Sequence, residues 1–206
     1  MRVRTSVGWV FASLLAGCEA VSVATYRASP DAAAAPAGAY TLSARHADVQ
    51  FAVWHFAYSR YIARFDRFDA QLDFDPSDPT RSRLTATIDA ASVDTGDPEI
   101  DAMLTGRQFF DAGSYTQIRF ESRQIALTGA QTGTVEGDLT IRDVTRPVTL
   151  DVTFNGGAPN PLEPTYVLGF SATATFSRSA FGLANWLPAV GDEVAVTIEA
   201  EFEQPR

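Results

Sequence analysis

The chain has 206 residues and carries 25 acidic against 16 basic side chains, a formal charge of −9, and every basic residue is arginine. An acidic surface of this kind argues against partnership with nucleic acid and against electrostatic attraction to anionic lipid headgroups. The absence of lysine removes Schiff-base and lysine-base chemistry.

In chain order, the first signal is at the N-terminus. Arg2 and Arg4 precede an apolar run over residues 7–16 that ends at Leu15-Ala16-Gly17-Cys18. A basic start, about ten apolar residues and a small-residue end describe a secretory signal, and the run is too short to span a bilayer. Leu15-Ala16-Gly17-Cys18 resembles the bacterial lipobox, in which the cysteine becomes the lipidated first residue of the mature chain. Cys18 is the only cysteine, and lipidation explains an unpaired thiol in an exported protein. The expectation is a lipoprotein on the periplasmic face of a bacterial membrane, the outer rather than the inner, because Glu19 and not aspartate follows Cys18. Cleavage after residue 17 leaves 206 − 17 = 189 residues and, with Arg2 and Arg4 gone, a charge of −9 − 2 = −11. Residues 18–39, with the lipidated Cys18 at their head, are rich in Ala, Ser and Pro without apolar period and read as a flexible tether. Residues 40–206 are expected to form one domain.

That domain reads as all-β. Val49, Phe51, Val53 and His55 fall on one face of a strand with period two, and Leu84, Ala86, Ile88 and Ala90 repeat the pattern. It recurs at Val135, Gly137, Leu139 and Ile141; at Val148, Leu150, Val152 and Phe154; along residues 168–176; and along residues 194–202. Turn signals such as Asp75-Pro76 and Asn155-Gly156-Gly157 separate these runs into about eight antiparallel strands, a barrel or a sandwich. Phe65 has the opposite parity to Phe68, Ala70, Leu72 and Phe74, which predicts a bulge near Asp66 and Arg67. Pro98 to Leu104 predicts a short helix with Ile100, Met103 and Leu104 on one face, and Ser179-Ala180-Phe181-Gly182 a second turn. Such helices would cover one end of a barrel.

A set of ordered motifs then carries a resemblance. Tyr40-Thr41-Leu42 through His46, Val49, Phe51, Val53 and His55 begins it, followed by Phe65-Asp66, Phe68, the run from Ile88 to Gly96, and Asp101 with Leu104. Phe109-Phe110-Asp111, Tyr115, Ile118, Phe120, Gly137-Asp138-Leu139-Thr140, Pro147-Val148-Thr149-Leu150, Arg178-Ser179, Phe181-Gly182 and Val190-Gly191-Asp192-Glu193-Val194 continue it. These residues resemble the YceI family of periplasmic lipid-binding proteins across residues 40–202. The resemblance implies a lipocalin-like barrel that holds a long apolar molecule, a polyisoprenoid chain or a fatty-acid derivative, in an interior tunnel, often as a homodimer. Three positions depart from it: Met103 and Arg142-Asp143 stand where many members have histidine, and Trp54 stands at a frequently polar place.

Eight antiparallel strands by themselves make a barrel wide enough for one small ligand. The residues expected to line it are Phe51, Val53, His55, Phe65, Leu72, Ile88, Phe120, Leu139, Val152, Phe170 and Phe176, with Phe109, Phe110, Phe181 and Trp186 at its mouth. Small residues at Ala70, Ala86, Gly137, Ala172 and Ala174 leave room. His55, on the inward parity, is a candidate for hydrogen bonding a headgroup, whereas His46 is expected in a turn before the strand. Nine residues apart, the two histidines are separated by up to about 30 Å and do not share a metal ion without a chain reversal.

Other constellations fail. Asp94-Thr95-Gly96 has the letters of an aspartic-protease motif but occurs once. No Gly-x-Ser-x-Gly elbow is present, and Pro76 breaks the calcium-loop pattern of Asp73, Asp75 and Asp78. The leading expectation is therefore a membrane-anchored, non-enzymatic binder of a polyisoprenoid, quinone-like or fatty-acyl molecule, with no metal or other cofactor. Two alternatives stay open at this point: a lipid-modifying or redox-helper enzyme using His55, and a solid-barrel stress or interaction lipoprotein.

Overall fold

In the computed structural model, residues 26–205 are described; the expected signal segment and Cys18 lie outside them. The period-two runs become ten antiparallel strands: β1 (Gly38–His55), β2 (Ser59–Phe65), β3 (Phe68–Phe74), β4 (Arg83–Asp89), β5 (Val93–Asp94), β6 (Gln117–Leu127), β7 (Thr132–Ile141), β8 (Val144–Pro159), β9 (Thr165–Ser177) and β10 (Val190–Pro205). Eight of these form a closed ring in the order β1-β10-β9-β8-β7-β6-β4-β3, because β1 pairs with β10 on one side and with β3 on the other. β2 pairs with the second half of β1, from Gln50 to His55, and carries the two-residue β5 on its far side. The predicted barrel is thus the observed one, with short extra strands at one end.

The predicted bulge at Asp66 and Arg67 takes another form. The chain leaves the sheet for two residues, and the apolar phase resets from Ala63 and Phe65 to Ala70, Leu72 and Phe74. The corner is held from outside the strand: Asp66 N–H donates to the Ser92 carbonyl and Arg67 N–H to Ser92 Oγ, both at 3.0 Å. Asp89 N–H returns a bond to the Arg67 carbonyl at 2.9 Å. With these partners available no extra residue has to be absorbed within a ladder. Bulges do occur in β1 between Leu42 and Ala47 and in β6 between Ser122 and Gln124, where they bend long strands toward closure. His46 falls in the first of these, inside β1 and not in a turn.

One helix, α1 (Pro98–Thr105), crosses the end of the barrel where the β1–β2 hairpin lies, here the upper pole. Asp97 caps it by accepting the Glu99 N–H at 3.0 Å. Asp101 fastens it to the chain after β5 by accepting from Thr95 Oγ1 at 2.7 Å and Thr95 N–H at 2.8 Å. A single 3-10 turn, Arg178–Phe181, follows β9 at the same pole.

The opposite pole corrects the expected extent of the tether. From Ser29 onward the segment belongs to the barrel: Ser29 and Gly157 exchange two backbone hydrogen bonds of 2.9 Å, and Ala32–Ala34 form a 3-10 turn capped by Asp31. Ala35 is buried and Tyr40 entirely so, its hydroxyl donating to the Pro36 carbonyl at 2.8 Å. Small alanines, which read as a linker, are what allow the segment to lie close against β8. Gly156, at φ +134°, sits so near Ala28 and Ser29 that a Cβ would lie 2.9 Å from both.

Five non-glycine residues adopt left-handed backbone: Phe56, Ala57, Asp111, Arg142 and Trp186. Each such residue costs about 1–2 kcal/mol, and all five lie at the upper pole: two in the β1–β2 hairpin, one in the loop before β10, Asp111 after α1 and Arg142 in the β7–β8 turn, where it reaches the Phe109 carbonyl.

Two outcomes follow from this packing. Gly137 lies beneath the Phe120 ring, and a Cβ there would also sit 2.6 Å from the Glu121 carbonyl oxygen; Gly137→Val is expected to lower stability by about 2–3 kcal/mol, read from the urea midpoint. Burial pushes the Tyr40 hydroxyl up to about 12, with Tyr166 adding to the shift, from an ordinary value of 10.0. The unfolded chain ionises first, so this contribution to stability is complete below pH 10 and is lost as pH rises toward 12. Melting curves across that range should show a loss that Tyr40→Phe reduces.

Candidate functional site: an apolar cavity through the barrel

Inward side chains of the ring leave a cavity of about 400 Å³. It passes through both of the barrel's apolar clusters, from Leu104, Phe109, Phe110 and Leu183 at the upper pole to Ala32, Pro79, Leu127 and Gln131 at the lower one. Space exists because rings face small residues: Ala70, Ala86, Ala172, Ala174 and Ala200 alternate around the wall with Phe51, Phe120, Phe170 and Phe176. Gly137 contributes differently from the expectation, by giving the Phe120 ring a place to lie rather than by lining the space.

Twelve of the fifteen side chains expected at the site line this cavity: Phe51, Val53, Phe65, Leu72, Ile88, Phe109, Phe110, Phe120, Leu139, Val152, Phe170 and Phe176. Three do not. His55 keeps the parity of Val53, since the β1–β2 ladder runs unbroken to His55–Ser59, but it ends β1 beyond the cavity lining, where the β10 pairing shifts from Val53–Val194 to His55–Val190. Its exposed ring instead packs edge-on against Phe56, with centroids 4.7 Å apart, and near Tyr61. Phe181 is buried behind the wall against Phe176. Trp186 lies outside, half exposed, its ring packed on Phe109 at 5.3 Å. His46 is exposed and lies 3.4 Å from Glu201.

One residue at the cavity escaped the sequence reading. Arg178 is only 6% exposed and borders the upper end beside Leu183 and Val190. Its guanidinium donates from Nε to the Gly191 carbonyl and from Nη2 to the Val190 carbonyl, each at 2.8 Å, and from Nη1 to the Leu183 carbonyl. Burial pushes its pKa down, opposed by Asp192. That carboxylate is itself held below its usual range by the N–H and hydroxyl of Ser179, both at 2.8 Å. Arg178 thereby ties the loop over the upper end to the end of β9. The only sequence signal was the Arg178-Ser179 motif, since a charged residue at a strand end reads as exposed.

The arrangement can sequester an apolar chain, at about 25 cal/mol per Å² removed from water. Among the described residues no three His, Cys, Asp or Glu side chains gather into a metal site. In the acidic loop after β3, Asp75 is occupied by Ser77, the Asp78 N–H and Arg81, the last at 2.6 Å.

Comparison with known proteins places this geometry. Residues 40–202 match the model of the YceI-like domain. A UPF0312 protein of Pseudomonas savastanoi pv. phaseolicola is 33% identical over 139 residues, 68% of this chain and 72% of that one. Among solved structures, Burkholderia cenocepacia BcnA superposes with a TM-score of 0.69 at 30% identity, over 78% of this chain and 98% of the other. A polyisoprenoid binding domain from Saccharophagus degradans, implicated in plant cell wall breakdown, shares the fold with a TM-score of 0.61 at 16% identity, over 82% and 99%.

Removing the Arg178 side chain leaves three loop carbonyls without their donor. Arg178→Met is expected to destabilise the protein by roughly 3 kcal/mol and to speed amide exchange selectively over residues 183–191, read by hydrogen exchange with mass spectrometry. Uniform acceleration across the barrel would contradict the local role.

Proposed function

Because the chain belongs to the YceI-like family, we propose that its barrel sequesters or carries an apolar lipid with a polyisoprenoid, quinone-like or fatty-acyl tail. The observation that carries this reading is the long, almost wholly apolar cavity reaching both poles. A tail is held by burial, and few polar contacts are needed to orient it. The fold shared with a polyisoprenoid binding domain supports the same ligand class. His55, on which an enzymatic reading would rest, is exposed at the end of β1 and does not line the cavity, and this favours binding over turnover.

In the same proposal the protein works outside the cytoplasm, held to a membrane through Cys18 after removal of residues 1–17. The lipobox-like run and the single cysteine support this placement.

Native mass spectrometry of protein purified without detergent, followed by organic extraction, tests the ligand. A stoichiometric apolar adduct is expected, and a bare mass that persists after incubation with isoprenoids, quinones and fatty acids would overturn the reading. Ala174→Trp fills the cavity from its wall and is expected to abolish uptake with little change in melting temperature; unchanged uptake in the folded variant would count against an interior site.

A further inference from the structure

The upper pole carries an apolar rim that the cavity does not use. Trp54, Phe56, Tyr58 and Ile62 project from the β1–β2 hairpin, and Trp186 and Leu187 from the loop before β10; all six are exposed, Tyr58 at 87%. The two segments form one surface, joined by a hydrogen bond from Phe56 N–H to the Ala189 carbonyl at 2.7 Å. We infer that this rim docks on a lipid bilayer, setting its aromatic side chains at headgroup depth beside the capped end of the cavity.

Three observations carry the inference. First, Phe56, Ala57 and Trp186 hold left-handed backbone, a conformation that folding alone would give to Gly or Asn. Large apolar rings kept in strained and wet positions mark a surface that serves contact rather than stability.

Second, the charge distribution admits a membrane here. The chain has 25 acidic residues, yet residues 54–63 and 180–190 contain none. Their ionisable groups other than Tyr are Arg60, lying over the Trp54 ring at 5.5 Å, and His55. The carboxylates of this pole, Asp97, Glu99 and Asp101 at α1 and Asp192 at the start of β10, lie outside the two rim segments, and an acidic protein approaches a negatively charged lipid surface most readily by segments free of carboxylates. The mix of Trp, Tyr and Phe with Arg is that of the membrane–water interface, where amphipathic rings and snorkelling cations are stable. Two protruding tips also suit insertion between headgroups better than the broad self-complementary patch that a second copy of the chain would need.

Third, the rim is continuous with the cavity. Trp186 packs on Phe109, which lines the cavity's upper end, so an apolar chain crossing between bilayer and barrel at this pole meets apolar surface throughout. The docking goes beyond the lipid-carrier reading and does not require it.

The three tryptophans are Trp9, Trp54 and Trp186, which makes the rim observable. Full-length chain carrying Trp9→Phe and Cys18→Ser has no acyl anchor, and its tryptophan emission reports on the rim alone. Mixed with vesicles of phosphatidylethanolamine and phosphatidylglycerol, it should shift to the blue and be quenched by lipids brominated near the headgroup. Adding Phe56→Asn and Tyr58→Ser should weaken vesicle affinity by about tenfold or more, while the melting temperature is kept or raised because Asn tolerates the left-handed turn. Absence of the blue shift, or vesicle affinity unchanged by the two substitutions, would overturn the inference. A blue shift that instead follows protein concentration without vesicles would identify the rim as a contact between copies and overturn it equally. Blocking the cavity with Ala174→Trp should leave vesicle co-sedimentation intact, so failure of the carrier reading and failure of docking are separate results.

Discussion

Everything in this barrel depends on β1 having two partners. Its ladder with β10 runs from Thr41–Glu203 to His55–Val190, and its other edge is shared between β3 below and β2 above. Closure removes the open edges that a flat sheet of this length would present to other chains. It also fixes which side chains face inward, because register on both sides of β1 must agree around the ring. The two-residue break between β2 and β3 follows from the same demand. The chain must leave the lower half of β1 free of β2 and the upper half free of β3, and it changes phase at Asp66 and Arg67 in doing so.

Most of the wall was legible from parity alone, since period two in an antiparallel strand is a statement about faces. Phe51, Val53, Leu139, Val152, Phe170 and Phe176 lie where alternation places them. The misses have a common physical origin in features that do not alter composition. His55 keeps its parity, but the cavity stops short of the last residue of β1, and alternation alone does not show where a lined space ends. The alanines before Gly38 carry no periodic signal, yet their small size is what lets residues 29–35 pack on β8. Arg178 is a charge turned inward, and nothing short of the three carbonyls that receive it would indicate that its burial is compensated. The single strand break at 66–67 was visible as a phase error, although its form depended on Ser92, a residue distant in the chain.

The two poles are closed by different means. Below, a segment of small residues lies across β8 through backbone bonds to Gly157, and Tyr40 anchors it by a buried hydroxyl. Above, α1 and the loop before β10 are held mainly by side chains, Asp101 on Thr95, Arg178 on the carbonyls of Leu183, Val190 and Gly191, and Asn185 on the Gln108 carbonyl, with one backbone bond from Phe56 to Ala189. Side-chain latches of this kind can open without breaking any strand ladder, whereas the lower closure is continuous with β1 itself. The upper pole is therefore the part of the wall that can move while the ring stays intact.

The pairing of the first long strand with the last has a temporal side. Thr41 and Glu203 are separated by 162 residues, close to the greatest span the domain offers, and contacts of such high sequence separation form slowly because loop closure must be met before they give any return. As the chain is made from its N-terminus, β1 has no second partner until β10 is complete. Through that interval the nascent sheet keeps two exposed edges and an unclosed apolar face. The sixteen residues of β10 thus act as the closing step of folding, and their pairing with β1 ends the period in which the chain is most exposed to aggregation and most dependent on chaperones.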